Sequence, residues 1–169
     1  MTQTIRYAKP GDAAALVELA SAVGGEPEGW MLSGRAWRSV AEERRYLRAL
    51  RGNSNGAVLV ADAGGTVVGR LSISRDPHPA SLHVADFGLM VAADYRNQGI
   101  GTALLTAAEG WARRGGVSKL ELHVFPHNVR AISLYEKLGY EHEGFRRAHY
   151  RRPDGRFVDA ILMAKPLNS

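Results

Sequence analysis

Residues 89–111 read Leu-Met-Val-Ala-Ala-Asp-Tyr-Arg-Asn-Gln-Gly-Ile-Gly-Thr-Ala-Leu-Leu-Thr-Ala-Ala-Glu-Gly-Trp. An apolar strand end, Leu89, Met90 and Val91, enters a polar turn and then a helix. Ile100, Ala103, Leu104, Ala107, Ala108, Trp111 and Ala112 fall on one side of a 3.6-residue period, which is a single buried face. Gly115 and Gly116 end the helix. The turn delivers two more glycines, Gly99 and Gly101, to the helix start. Glycine costs about 1 kcal/mol against alanine inside a helix. It earns its place where something approaches the backbone closely. A helix start offers unpaired N–H groups and the positive end of the dipole, both suited to a phosphate. Arg96 adds a fixed positive charge just upstream. The alternative is a plain strand-to-helix turn that uses glycine for its geometry.

Two common phosphate motifs do not fit. A P-loop needs Lys followed by Ser or Thr after its last glycine, and Thr102-Ala103 stand there. A dinucleotide fingerprint needs a third small residue three positions after Gly101, where Leu104 stands.

The 169 residues suit one domain, residues 1–169, with one core. A 45% hydrophobic and 23% charged composition is ordinary for a globular chain. No window approaches the roughly 18 apolar residues of a membrane span, and the first residues lack the pattern of a signal peptide. There is no cysteine, which excludes disulfides and thiolate chemistry and fits a cytoplasmic location. The six histidines form no tight metal-like set, so no metal is expected. The net charge of +5 suits an anionic small ligand or nucleic acid. The arginines are scattered and no nucleic-acid-binding motif accompanies them, so neither nucleic acid nor membrane is an expected partner.

Outward from the central stretch, alternation predicts strands at 4–8, 57–61, 66–74, 82–91, 119–125, 140–150 and 157–165. Asp62-Ala-Gly-Gly65 marks a hairpin between the second and third. Helices are predicted at 13–23, 37–51, 100–114 and 129–138, with Asn128 as N-cap of the last. Trp30 and Met31 follow a flexible Gly-rich stretch and either cap the core or line a pocket. The result is a mixed α/β domain with at least two strand–helix–strand crossovers in its second half.

Three segments carry a resemblance that covers nearly the whole chain. Arg96-Asn97-Gln98-Gly99-Ile100-Gly101 resembles the acyl-CoA-binding motif Gln/Arg-x-x-Gly-x-Gly/Ala of the Gcn5-related N-acetyltransferases. Asn128-Val-Arg-Ala-Ile-Ser-Leu-Tyr135-Glu-Lys-Leu-Gly139-Tyr140 is similar to that family's Asn-x-x-Ala-x-x-x-Tyr-x-x-x-Gly-Phe/Tyr segment. The third is the final hairpin, ending Val158-Asp-Ala-Ile-Leu-Met163. Val84-Ala-Asp-Phe-Gly88 and residues 150–159 look like the bacterial branch that contains L-amino-acid N-acyltransferases.

The resemblance implies a GNAT-like mixed central sheet of about seven strands flanked by about four helices, with strands splayed at the acetyl-CoA site. It implies acetyl-CoA as acyl donor, with backbone N–H groups of Gln98, Gly99, Ile100, Gly101 and Thr102 on the pyrophosphate. Leu89, Met90 and Val91 would pair with the pantetheine arm as an added strand does. Asn128 would hydrogen-bond that arm. Arg96 would face a phosphate, with Arg130 as the weaker candidate. Tyr135 matches the family's general acid, although its spacing also suits simple packing in the core. A phenol of pKa about 10 can protonate a thiolate whose conjugate acid lies near 8.5 while staying protonated itself at pH 7.

Asp86 is the candidate base or amine anchor, with Glu121 and His123 on the neighbouring strand as alternatives. A water relay would also serve, because an α-amine of pKa about 7.7–8.0 is partly neutral at pH 7. The expected acceptor is a small-molecule primary amine, an amino acid or a similar compound, chosen by residues 24–34 and the final hairpin. Glu26 and Glu28 read as solvated loop acids or as an attractor for a cation. Protein N-termini or lysines as acceptors, and a non-catalytic acyl-CoA sensor, remain as alternatives. Oligomeric state is open, and the resemblance allows a homodimer.

Overall fold

The computed structural model describes residues 2–32 and 37–167. Seven strands form one sheet: β1 (Gln3–Tyr7), β2 (Gly56–Ala63), β3 (Thr66–Arg75), β4 (Val84–Val91), β5 (Lys119–Val124), β6 (Glu141–Arg151) and β7 (Phe157–Pro166). Four α-helices accompany them among the described residues: α1 (Ala13–Gly24), α2 (Val40–Ala49), α3 (Ile100–Arg114) and α4 (Val129–Lys137). The spatial order is β1-β2-β3-β4-β5-β7-β6. Every neighbouring pair is antiparallel except β4 and β5, which are parallel and joined through α3.

Alternation on β2 explains the layering. Leu59 and Ala61 pack with α3, whereas Val58 and Val60 pack with Leu16 of α1 and Leu47 of α2. Successive side chains of a strand point to opposite faces, so α3 covers one face of the sheet and α1 with α2 covers the other. A strand covered on both sides reads as an unbroken apolar run, as Ala57-Val-Leu-Val-Ala61 does. The hairpin turn has φ +63° at Gly64 and +95° at Gly65, the left-handed pair that a two-residue connection between twisted strands requires.

Helix α2 is shorter than the 37–51 expected from periodicity. Ser39 accepts a hydrogen bond from the Glu42 N–H while the Glu42 carboxylate reaches back to the Ser39 N–H, and this capping box starts the helix after Trp37. Strand β4 starts two residues later than expected, because residues 79–81 form a short 3-10 turn before it.

The feature that positions the site is a defect in the sheet. Strands β4 and β5 are in register only at Val84–Lys119, Ala85–Leu120 and Asp86–Glu121. Beyond Asp86, β4 continues to Val91 and β5 to Val124 without pairing to each other. The expected splay is therefore present. It leaves one edge of residues 87–91 unpaired while the other edge stays paired to β3 through Gly69–Val91.

Candidate active site

A cavity of about 1060 Å³ occupies the splay. One wall is the start of α3, with Gly99, Ile100, Gly101 and Thr102. Gly99 caps the helix at φ +82°, a left-handed conformation that glycine adopts freely. The N–H groups of Gln98, Gly99, Ile100, Gly101 and Thr102 have no hydrogen-bond acceptor among the described residues. Free N–H groups and the positive end of a helix dipole are the chemistry that suits an anion. Gly101 has a second reason to be glycine. A Cβ there would lie 2.9 Å from Leu134 Cδ2, so its absence lets the start of α3 approach α4.

The opposite wall is the start of α4. Asn128 caps it, its Oδ1 accepting from the Ala131 N–H at 3.3 Å. Asn128, Arg130, Ala131, Leu134 and Tyr135 all border the cavity. Tyr135 is packed edge-on against Phe87 and Tyr140 at centroid distances of 5.9 Å each, and it is buried. Tyr135 thus packs in the core and also borders the cavity. Burial pushes the Tyr135 phenol well above its ordinary range, so it stays protonated.

Leu89, Met90, Val91, Arg96 and Asn97 complete the predicted residues that line the cavity. Two predicted residues do not. Gln98 turns its amide to donate to the Asp94 carbonyl, so only its backbone serves the turn. Asp86 stands at the last register position before β4 and β5 part. It is on the sheet face shared with Glu121 and His123, outside the cavity lining. Desolvation raises the Asp86 carboxyl against the pull of nearby His123. Partial burial, helped by Arg146 and His149, lowers His123, whose Nδ1 lies 2.6 Å from the Tyr150 hydroxyl.

The Arg96 guanidinium, expected to face a phosphate, is engaged by protein groups at the cavity wall. Its Nη1 and Nη2 donate to Glu26 Oε2 and Oε1 at 2.7 and 2.5 Å, and its Nε donates to the Val91 carbonyl at 3.0 Å. Glu26 is accordingly no free loop acid. The Arg96 bonds hold its carboxyl below the usual range, and it also accepts from Trp30 Nε1. Arg130, by contrast, makes no hydrogen bond or ion pair among the described residues, and its guanidinium lies over the Trp30 ring at 5.3 Å. Arg130 is thus a cavity-lining cation with donors to spare.

A further part of the cavity lining comes from the two regions expected to choose the acceptor. Trp30, Met31 and Leu32 come from the loop after α1, and Arg151, Arg152 and Pro153 from the β6–β7 turn. Arg152 joins them, donating to the Met31 carbonyl at 3.2 Å and the Gly29 carbonyl at 2.8 Å. Residues 33 and 34 lie outside the described residues. Trp30 lines the cavity and stacks on His127 at 5.5 Å.

Sequence reasoning missed two charged residues here, Arg70 of β3 and Glu43 of α2, both buried. A signal was available for Glu43, which shares a helical face with Val40 and Leu47, but not for Arg70, whose alternation with Gly69 and Leu71 reads as a solvent-facing position. Among the described residues, no cluster of His, Cys, Asp or Glu could hold a metal ion, and no helix is long and apolar enough to cross a membrane.

A sheet opened between two parallel strands, with a glycine-lined helix start at the opening, defines an acyltransferase architecture. Residues 28–140 match the family model described as the acetyltransferase (GNAT) family, and the chain belongs to that family. Over 111 residues it is 40% identical to the L-amino acid N-acetyltransferase AaaT of Escherichia coli (strain K12), covering 63% of this chain and 66% of that protein. Over 82 residues it is 43% identical to the [ribosomal protein bS18]-alanine N-acetyltransferase of the same organism, covering 48% and 55%. The chain thus spans somewhat less than two thirds of the one relative and about half of the other. The fold is shared along nearly its full length with a GNAT superfamily phosphinothricin acetyltransferase (Pat) from Sinorhizobium meliloti solved in complex with AcCoA. There the TM-score is 0.85 at 25% identity, over 99% of this chain and 90% of that one.

Proposed function

We propose that this chain transfers an acetyl group from acetyl-CoA to the primary amine of a small molecule, an amino acid or a similar compound, by direct attack on the thioester. The observation that carries this reading is the continuity of the cavity. One cavity takes in the unpaired N–H groups at the start of α3, Tyr135, the β4–β5 splay and the Trp30–Leu32 and Arg151–Pro153 segments. The residues fit acetyl-CoA. The N–H groups of residues 98–102 hold the pyrophosphate, and Arg130 supplies a cation beside it. The unpaired edge of β4 and the Asn128 amide hold the pantetheine arm. At the thioester, the N–C bond forms as the C–S bond breaks, and the Tyr135 hydroxyl protonates the departing sulfur. The amine gives up its proton to Asp86 at the apex of the splay, directly or through water. The raised Asp86 carboxyl is a stronger base than an ordinary one.

The similarity to the bS18-alanine enzyme favours a second reading, acetylation of a protein N-terminus. It predicts rates that rise with peptide length. The test is thiol release from acetyl-CoA across amino acids, polyamines, amine antibiotics and short peptides, with acetyl-CoA affinity measured in parallel. Turnover of free amino acids or their analogues is the expected result. Acetyl-CoA binding without turnover of any acceptor would instead leave an acyl-CoA sensor.

A further inference from the structure

Arg70 is only 5% exposed, yet it borders the cavity and is poorly satisfied. Its one hydrogen bond is a long one, Nη2 to Glu43 Oε1 at 3.3 Å. Its Nε has no partner among the described residues, and Nη1 donates to none of them. Glu43 is itself fully buried and already engaged more closely by Arg38 at 2.7 Å. Two guanidinium groups therefore share one carboxylate, which leaves a surplus positive charge at a desolvated position. Buried cations are normally paired and hydrogen-bonded, so an incompletely bonded one that faces a cavity lacks an anion.

The position of Arg70 says which anion. Its neighbour Gly69 faces α3, because a Cβ there would lie 3.1 Å from both Ile100 and Leu104. Alternation then turns Arg70 to the other face of the sheet, away from the N–H groups of the α3 start. The anion is thus not the pyrophosphate. On that face Arg70 is in register with Met90, and Ser72, the next residue on the same side, is in register with Gly88. Both Gly88 and Met90 belong to the unpaired stretch of β4. A Cβ at Gly88 would meet only Ser72 Oγ, at 3.7 Å, so glycine leaves open the space between Arg70 and the splay. Trp37 lies over the guanidinium at 4.9 Å and fixes its plane. The cavity lining holds further arginines, Arg151 and Arg152, and no carboxylate among the described residues.

We propose that Arg70 is the receptor for the acceptor's α-carboxylate, so that this chain acetylates free amino acids and not the amine ends of polypeptides. The inference rests on the acetyl-transfer reading above and narrows its substrate class. Amine and carboxylate of an amino acid are separated by one carbon, so anchoring the carboxylate also sets where the amine meets the thioester. An α-amide or ester of the same amino acid keeps the amine and side chain and loses the negative charge. Its amine is the less basic of the two, so near pH 7 a larger fraction of it is neutral, and a large preference for the acid at that pH does not come from the supply of free amine.

The test compares kcat/KM for one well-used amino acid, its α-amide and its methyl ester on the full chain with saturating acetyl-CoA. The acid is expected to exceed both by about 100-fold, the scale of a charge-assisted hydrogen bond lost from a buried site. Arg70→Lys is expected to narrow that ratio at least 10-fold, chiefly through KM for the acid. The ratio is internal to each protein, so partial unfolding of the variant does not imitate the effect. Turnover of acid and amide within about threefold of each other on the unaltered chain would overturn the carboxylate receptor while leaving the acetyl-transfer reading intact. Acetyl-CoA binding with no turnover of acid, amide or peptide would overturn both.

Discussion

Arg96 and Glu26 meet end-on across 70 residues of sequence, with both carboxylate oxygens engaged at 2.7 and 2.5 Å. The pair ties the loop after α1 to the turn that starts α3, and Arg96 Nε extends the tie to the end of β4. Arg96→Ala should therefore behave first as a structural lesion. Both side chains are mostly buried. Loss of hydrogen bonds between charged groups at such a site costs about 2 kcal/mol. A chain of this size should then melt about 4–8 °C lower in a thermal scan. The pH dependence follows from Glu26, whose carboxyl is lowered chiefly by the Arg96 hydrogen bonds. A lowered carboxyl stabilises fully above its unfolded value of about 4.3 and loses that contribution as pH falls through the folded value. The difference between parent and variant should be full at pH 6–7 and shrink below about pH 4. An equal difference at pH 3 would rule out this assignment.

Arg130 should take the electrostatic part in cofactor binding. It lines the same cavity as the α3 start, with the Trp30 ring beneath it and no anionic partner among the described residues. Arg130→Ala should weaken acetyl-CoA binding by about 10-fold, the low end for a charge-assisted bond, with little change in melting temperature. The affinity of the variant should also depend less on salt. Calorimetry at two ionic strengths checks both. Unchanged affinity would return the phosphate contact to the backbone N–H groups alone.

Tyr135→Phe separates chemistry from packing. The phenol makes no hydrogen bond within the described protein, and its ring sits among Phe87 and Tyr140 in a space that phenylalanine fills equally well. Stability should stay within about 0.5 kcal/mol of the parent. Turnover should fall by about 100-fold or more if the hydroxyl protonates the leaving sulfur. Because burial holds Tyr135 protonated beyond its ordinary range, the parent should show no loss of rate through its ionisation near pH 10. Parent-like turnover in the variant would leave Tyr135 as a packing residue.

The architecture was legible because its signals are local. The 3.6-residue period of α3, the Gly64-Gly65 hairpin and the Asn128 cap each lie within a few residues, and each is present. The splay was legible only through resemblance, since strand periodicity does not say where two neighbours stop pairing. What sequence could not show were partners distant along the chain. Arg96 upstream of a glycine turn suggests a phosphate until Glu26 appears 70 residues away. Arg70 looks like an ordinary surface charge until it proves buried beside Glu43, 27 residues away in sequence. Gly101 reads as room for a ligand, and the structure adds that it also makes room for Leu134.

Tyr140 offers a test of the core that is independent of function. Its ring packs edge-on with Phe87 at 5.7 Å and with Tyr135 at 5.9 Å, and only 2% of the residue is exposed. Its hydroxyl is enclosed without a hydrogen-bond partner among the described residues. A buried polar group with no partner costs about 1–3 kcal/mol, whereas the ring without it keeps the same packing. Tyr140→Phe should therefore raise stability, by about 1 kcal/mol once loss of the hydroxyl's own packing is allowed for. Tyr140 does not line the cavity, so kcat and KM should stay at parental values. Denaturant titration with unchanged slope and a higher midpoint is the expected readout. A lower midpoint would mean that the hydroxyl is satisfied in solution, by a water or by a residue outside those described.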